Sequence, residues 1–159
     1  MKTLKLVQPP GIRSTGGVHV PIEVDATKTR GESDFVRDLK YFCKKYGLEH
    51  AYKSIAIELT AIVERAKEGT LTYDERSSKC GTVCQIKSQP GVLEARLETT
   101  TYGDKSLYVR LFFSEPEDFE LILLLGTLFK EDFPVGKDQQ NLHAGKCQAR
   151  GDAWITSRT

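Results

Sequence analysis

The period of the hydrophobic pattern changes along the chain, and each change marks a boundary between elements. Near the start only Val18 to Val24 alternates as a strand would, and Pro21 within it lacks the N–H a ladder needs, which predicts an edge strand. Ser33 then precedes Phe35, Leu39, Phe42 and Tyr46, which recur at helical spacing, so a helix is expected from a Ser33 cap to a stop at Gly47. Tyr52, Ile55, Leu59, Ile62 and Ala66 repeat that spacing up to Gly69. The short link between the two runs implies an antiparallel helix hairpin.

Beyond a polar stretch from Thr70 to Gln89 the period drops to two. Leu93, Ala95 and Leu97 alternate with Glu94, Arg96 and Glu98, and Leu107, Val109, Leu111 and Phe113 alternate with Tyr108, Arg110 and Phe112. With a turn at Tyr102-Gly103-Asp104 the two runs form a hairpin. Facing residues share a face, so the expected register sets Leu97 against Val109, Ala95 against Leu111 and Leu93 against Phe113. It also sets Arg96 against Arg110, which costs energy unless an anion or a carboxylate such as Glu94 or Glu98 lies between them.

Phe119 to Phe129 is almost continuously apolar, as in a strand covered on both faces; periodicity alone also allows a helix, but the turn-forming Ser114 to Asp118 before it favours strand. Asp138 to Arg150 is polar and reads as a short helix anchored by Leu142 and Cys147, with Trp154 packing the tail onto the body. The organisation is an extended N-terminal arm, residues 1–31, followed by one α+β domain over 32–159: a helix hairpin packed on a small, mainly antiparallel sheet with a C-terminal helical segment.

Composition fits one packed domain, since 159 residues with 39% hydrophobic and 28% charged side chains are ordinary for a globular chain. The sequence has neither a signal-peptide pattern nor an apolar run long enough to span a bilayer, so a cytoplasmic protein without a membrane partner is expected. The net charge of +1 gives a nucleic-acid reading no help, so such a reading depends on where the charges sit. Arg37, Lys40, Lys44, Lys45 and Lys53 decorate the outer faces of the helices, as a solvated surface or as contacts to nucleic acid. Of Cys43, Cys80, Cys84 and Cys147 only Cys80 and Cys84 are close, and a pair of thiols is half a zinc site, so no metal or other cofactor is expected.

Three phrases follow the helix hairpin in order: Pro90-Gly91-Val92-Leu93-Glu94-Ala95-Arg96-Leu97, then Tyr108-Val109-Arg110-Leu111-Phe112-Phe113, then Leu123-Leu124-Leu125-Gly126-Thr127-Leu128-Phe129-Lys130. Their order and spacing over residues 32 to 150 resemble the RelE/HigB toxins of type II toxin-antitoxin systems, in particular the phage-derived HigB-like branch. The resemblance implies a RelE-like fold and a ribosome-associated, metal-free mRNA endonuclease, with an antitoxin protein and mRNA on the ribosome as partners. Arg96, Arg110 and Lys130 match basic residues that hold the scissile phosphate while the ribose 2′-OH attacks to leave a 2′,3′-cyclic phosphate. Fixed guanidinium groups suit the charge that builds on phosphorus, but they transfer protons poorly.

Glu94, on the same face of its strand as Arg96, is the candidate base, or alternatively a salt-bridge partner. His143 and Lys137 are candidates for the acid, or alternatively surface residues. Lys87, Lys105, Phe133 and Lys137 are candidate RNA contacts, with Phe133 either stacking a base or anchoring a loop; Tyr108 lines the site or covers the sheet edge. Two acidic residues depart from the family pattern, Glu131 after Lys130 and Glu98 after Arg96. A non-catalytic reading, a gyrase-targeting ParE-like toxin or an inactive phage-derived relative, stands beside the nuclease.

Overall fold

A computed structural model describes residues 20–23, 32–74, 79–116 and 121–158. The elements run β1 (Val20–Glu23), α1 (Asp34–Lys45), α2 (Tyr52–Glu68), β2 (Thr72–Tyr73), β3 (Thr82–Gln85), β4 (Leu93–Tyr102), β5 (Lys105–Ser114), β6 (Leu121–Lys130) and α3 (Val135–Ser157). They form a mixed α+β architecture around one six-stranded sheet of order β1-β6-β5-β4-β3-β2. The β3–β4–β5–β6 core is antiparallel, while β1 adds to β6 and β2 to β3 in parallel. Among the described residues no helix is long and apolar enough to cross a membrane.

The helical spacing read from the sequence is the spacing of the buried side chains. Leu39, Phe42 and Tyr46 of the first run and Ile55, Leu59, Ile62 and Ala66 of the second lie in the core. Gly47 and Gly69 end the helices with φ of 66° and 72°, conformations that cost other residues energy. Ser33 occupies the N-cap position, but its side chain makes no capping hydrogen bond. Of the outer basic residues Lys40, Lys44, Lys45 and Lys53 are exposed; Lys40 pairs with Glu32 and Arg37 with Asp34.

One face of the sheet carries Leu93, Ala95, Val109, Leu111 and Phe113 and lies under the first two helices, where α2 meets Leu111, Phe113, Ile122 and Leu124 and Phe42 of α1 stacks 5.7 Å from Phe129. The opposite face is covered in part by α3 at β6, so β6 is buried on both sides, as its continuous apolar run implies. The expected part of this strand before Leu121, most of the arm and the side chain of Lys105 lie outside the described residues. The predicted edge strand is β1, which among the described residues pairs with Leu121 to Leu124.

Two bulges adjust the hairpin register. Leu93↔Phe113, Ala95↔Leu111 and Arg96↔Arg110 pair as expected, but the ladder slips by one residue between Arg96 and Thr99, so the expected Leu97↔Val109 pair does not form. In β6 the pairing passes from Phe113↔Leu124 to Phe112↔Gly126, which leaves Leu125 as an extra residue. Side chains alternate along a strand, so this residue reverses the alternation: Leu124 points toward α2, while Leu128 and Lys130 point to the opposite face with Arg110 and Tyr108.

The last helix is longer than the short segment expected, with 23 residues. It packs through Gly136, His143, Ala144, Cys147, Gly151 and Ile155, a face made mostly of small or polar side chains that a hydrophobic pattern does not register. Leu142, expected as an anchor, is 68% exposed, whereas Cys147 is fully buried and Trp154 packs on the core. The helix can approach β6 closely because position 126 is glycine: a Cβ there would lie 2.6 Å from Cys147 Sγ and 2.7 Å from Asp38 Oδ2. Strands β2 and β3, in the polar stretch, are too short to show a period.

Candidate functional site

Alternation along β3, β4 and β5, with the reversed alternation of β6, brings Cys84, Glu94, Arg96, Tyr108, Arg110 and Lys130 to one face of the sheet. The close approach of Arg96 to Arg110 is resolved asymmetrically. Glu94 Oε1 lies 2.6 Å from Arg110 Nε in a buried ion pair. Arg96 turns to neutral partners instead: Nη1 donates to Thr82 Oγ1 at 2.9 Å and to the Asp74 carbonyl at 3.3 Å, and Nη2 to Cys84 Sγ at 3.2 Å.

Three cations therefore share one carboxylate, in a setting where Glu94, Arg96 and Arg110 are buried and Lys130 is half-buried. Burial lowers the pKa of Lys130; Glu94 opposes this, and Arg110 and Arg96 add to it. Burial likewise lowers that of Arg110 against the pull of Glu94. Burial raises that of the Cys84 thiol, so it is a weak acid despite the neighbouring guanidinium groups.

Arg110 and Lys130 open into a cleft of about 570 Å³ between the sheet and the start of α3. Lys130 Nζ donates to Gln140 Oε1 at 2.6 Å, and the Arg110 guanidinium lies 5.6 Å over the Tyr108 ring. Tyr108 Oη donates in turn to Asp132 Oδ1 at 2.7 Å. Phe133, 80% exposed, and the exposed Lys137 form the outer wall. The loop carrying Asp132 and Phe133 is held tightly, with Gly136 N donating to the Asp132 carbonyl at 3.0 Å and an added Cβ at Gly136 meeting the Glu131 carbonyl at 1.8 Å.

Of the residues singled out in the sequence, Glu94, Arg96, Arg110 and Lys130 are thus brought together, and Phe133 and Lys137 share the cleft with the last two. Lys87 is exposed in the β3–β4 connection and does not line the cleft. His143 is elsewhere: it is buried on α3, with Nε2 2.9 Å from Asp38 Oδ2 and its ring against Phe42 and Phe112. Glu131 faces away from Lys130, its carboxylate taking hydrogen bonds from Gln139 at 2.8 Å and Tyr46 at 3.4 Å. Glu98 is exposed, and its backbone N–H donates to Glu58 Oε2 at 3.2 Å.

Sequence reasoning missed Asp132, Gln140 and Asn141 in the cleft wall. Their position within about ten residues of Lys130, on the turn into a helix, was the available signal. Among the described residues no three His, Cys, Asp or Glu side chains are grouped to hold a metal ion, and Cys80 and Cys84 are free thiols. No family model, curated protein or solved structure matches this chain.

Proposed function

We propose that the protein is a toxin-type endoribonuclease that cuts ribosome-associated mRNA by metal-independent attack of a ribose 2′-OH, and that it is held inactive by an antitoxin. The observation that carries this reading is the cationic excess at the cleft floor, where Arg110 and Lys130 stand side by side below an exposed aromatic ring and a lysine. Support also comes from the element order, a helix pair followed by three antiparallel strands and a C-terminal helix, which is the order the resemblance implies. In this reading Arg110 holds the non-bridging oxygens of the scissile phosphate, and Arg96 adds to the field from beneath. The 2′-oxygen bonds to phosphorus as the bond to the 5′-oxygen breaks.

Lys130, whose hold on its proton is weakened, delivers that proton to the departing 5′-oxygen, while the 2′-hydroxyl proton passes to water. Glu94 is 2% exposed and paired with Arg110, so its part is to orient the guanidinium. His143, bound to Asp38, has no part in the chemistry.

A second reading, a non-catalytic interaction protein of the same fold, is favoured by the neutralisation of Arg110 by Glu94 and the three protein acceptors around Arg96. Expression of the wild type and of an Arg110→Ala/Lys130→Ala double variant in bacteria, with transcript 5′ ends mapped during growth, separates the two. Growth arrest with new 5′-hydroxyl ends that disappear in the variant is expected. Arrest without new ends transfers the argument to a gyrase-type target, and no arrest with either chain leaves an inactive relative.

A further inference from the structure

We propose that the cleft selects guanine, by pairing the Asp132 carboxylate with the Watson–Crick edge of a base stacked on Phe133; this deepens the endoribonuclease reading and rests on it for the RNA context. The argument begins from what each wall has left to offer. Phe133, 80% exposed, presents an aromatic face that a base can cover whatever its identity. Asp132 Oδ1 accepts from Tyr108, which fixes the carboxylate, while Oδ2 and the spare lone pairs remain for a ligand. Gln140 Oε1 is occupied by Lys130 Nζ, so its amide N–H₂ is the group it can offer the cleft. Arg110, Lys130 and Lys137 supply positive charge for a phosphate in the same cleft.

A carboxylate is acceptor-only, so it pairs best with a base that presents two adjacent donors and worst with one that turns a lone pair toward it. Guanine alone among the four bases places two side by side on its Watson–Crick edge, N1–H and the N2 amino group, which a carboxylate accepts as a charge-assisted pair. Adenine and cytosine turn one amino group and one ring-nitrogen lone pair toward it, so one contact repels. Uracil offers a single N3–H between two carbonyl oxygens. Guanine O6, next to N1, is an acceptor and suits the donor left on Gln140. The tight turn at Gly136 holds Asp132 and Phe133 in place, so the selectivity requires little reorganisation.

The test is calorimetric titration of the full chain with the four nucleoside 3′-monophosphates and with inorganic phosphate, repeated for Asp132→Asn, Phe133→Ala and Arg110→Ala. Guanosine 3′-monophosphate is expected to bind about tenfold more tightly than the other three, the value of one bidentate base contact. Asp132→Asn should remove that preference while keeping nucleotide binding, Phe133→Ala should weaken all four alike, and Arg110→Ala should weaken phosphate as well. Unfolding midpoints check that the variants are folded; Asp132 and Phe133 are exposed.

Equal affinities for the four nucleotides, a guanine preference that survives Asp132→Asn, or binding of phosphate alone each overturns the inference. The nuclease reading is scored separately by cleavage of labelled mRNA bound to ribosomes. A chain that prefers guanine but cuts no RNA sinks that reading and leaves the base selection standing. A chain that cuts RNA and binds all nucleotides alike does the reverse.

Discussion

Two clusters of buried charge meet at β6, and they are built on opposite plans. Along its edge next to β1, past Leu124, Asp38 accepts from Arg150 Nη1 at 2.7 Å and Nη2 at 3.1 Å, from the Thr127 N–H at 3.1 Å, and lies 2.9 Å from His143. Arg150 also donates to the Leu125 carbonyl at 2.8 Å, and Gln139 accepts from the Glu131 N–H, so side chains of α1 and α3 occupy backbone groups that another strand would otherwise take. On the sheet face, by contrast, three cations share one carboxylate, Glu94, which lies 2.6 Å from Arg110 Nε. A network with its charges matched fastens the molecule together. One left in cationic excess at a cleft is suited to receive an anion.

The largest test of this contrast removes the fastening. Asp38→Ala leaves the partly buried Arg150 only the Asp34 carboxylate, 3.9 Å from its Nε, and takes the acceptor from the Thr127 N–H; the variant is expected to lose about 1.5–3 kcal/mol of stability by urea unfolding. A loss below about 1 kcal/mol would show that α3 is held by its apolar contacts alone. Gly126→Ala strikes the same junction from the strand side, where its Cβ meets Cys147, Asp38 and Arg150 under 3 Å, and a loss of about 1–3 kcal/mol is expected.

Acid provides a milder probe. Burial alone raises the pKa of Asp38, but hydrogen bonds and charge from His143 and Arg150 outweigh it and hold the carboxyl below its usual value. A depressed folded pKa means that this stabilisation is complete above the unfolded value near 3.8 and is lost as pH falls below it toward the folded pKa. Unfolding midpoints of the wild type and Asp38→Asn should therefore draw together between about pH 4 and pH 2. Parallel curves through that window would remove Asp38 as the titrating group.

The smallest effect is expected at the cleft. The pKa of Lys130 is lowered, so its charge is less welcome in the folded chain than in the unfolded one, and stability should rise as pH climbs through the folded pKa toward 10.5. Lys130→Met should accordingly hold or gain stability at neutral pH, by less than about 1 kcal/mol at this half-exposed position, while phosphate binding falls. A clear loss of stability with phosphate binding intact would make Lys130 a structural residue.

Periodicity made α1, α2 and the β4–β5 hairpin legible, since each buries a regular stripe of large apolar side chains. The facing of Arg96 and Arg110 followed from that register and is observed. The bulges left no such trace, because an inserted residue has no composition of its own. The fastening at α3 was hidden for another reason: its partners are one aspartate in α1 and a histidine and an arginine on a helix face of small residues, joined over more than 100 positions. The resemblance grouped Arg96, Arg110 and Lys130, which strand register brings to one face, whereas His143 lies buried against Asp38, a distant partner that no local pattern could supply.

The extra residue at Leu125 gives the cleft a sensitivity to chain length that no substitution reproduces. Deleting one residue there would return β6 to an unbroken alternation and swing Lys130 through half a turn into the layer of α1, away from Arg110. Single-codon insertions and deletions in this strand would then assemble or dismantle the cationic floor while keeping every charged residue in the chain. In a lineage of such proteins, gain or loss of the site could be recorded as a gap in the strand, with no change in the residues that form it.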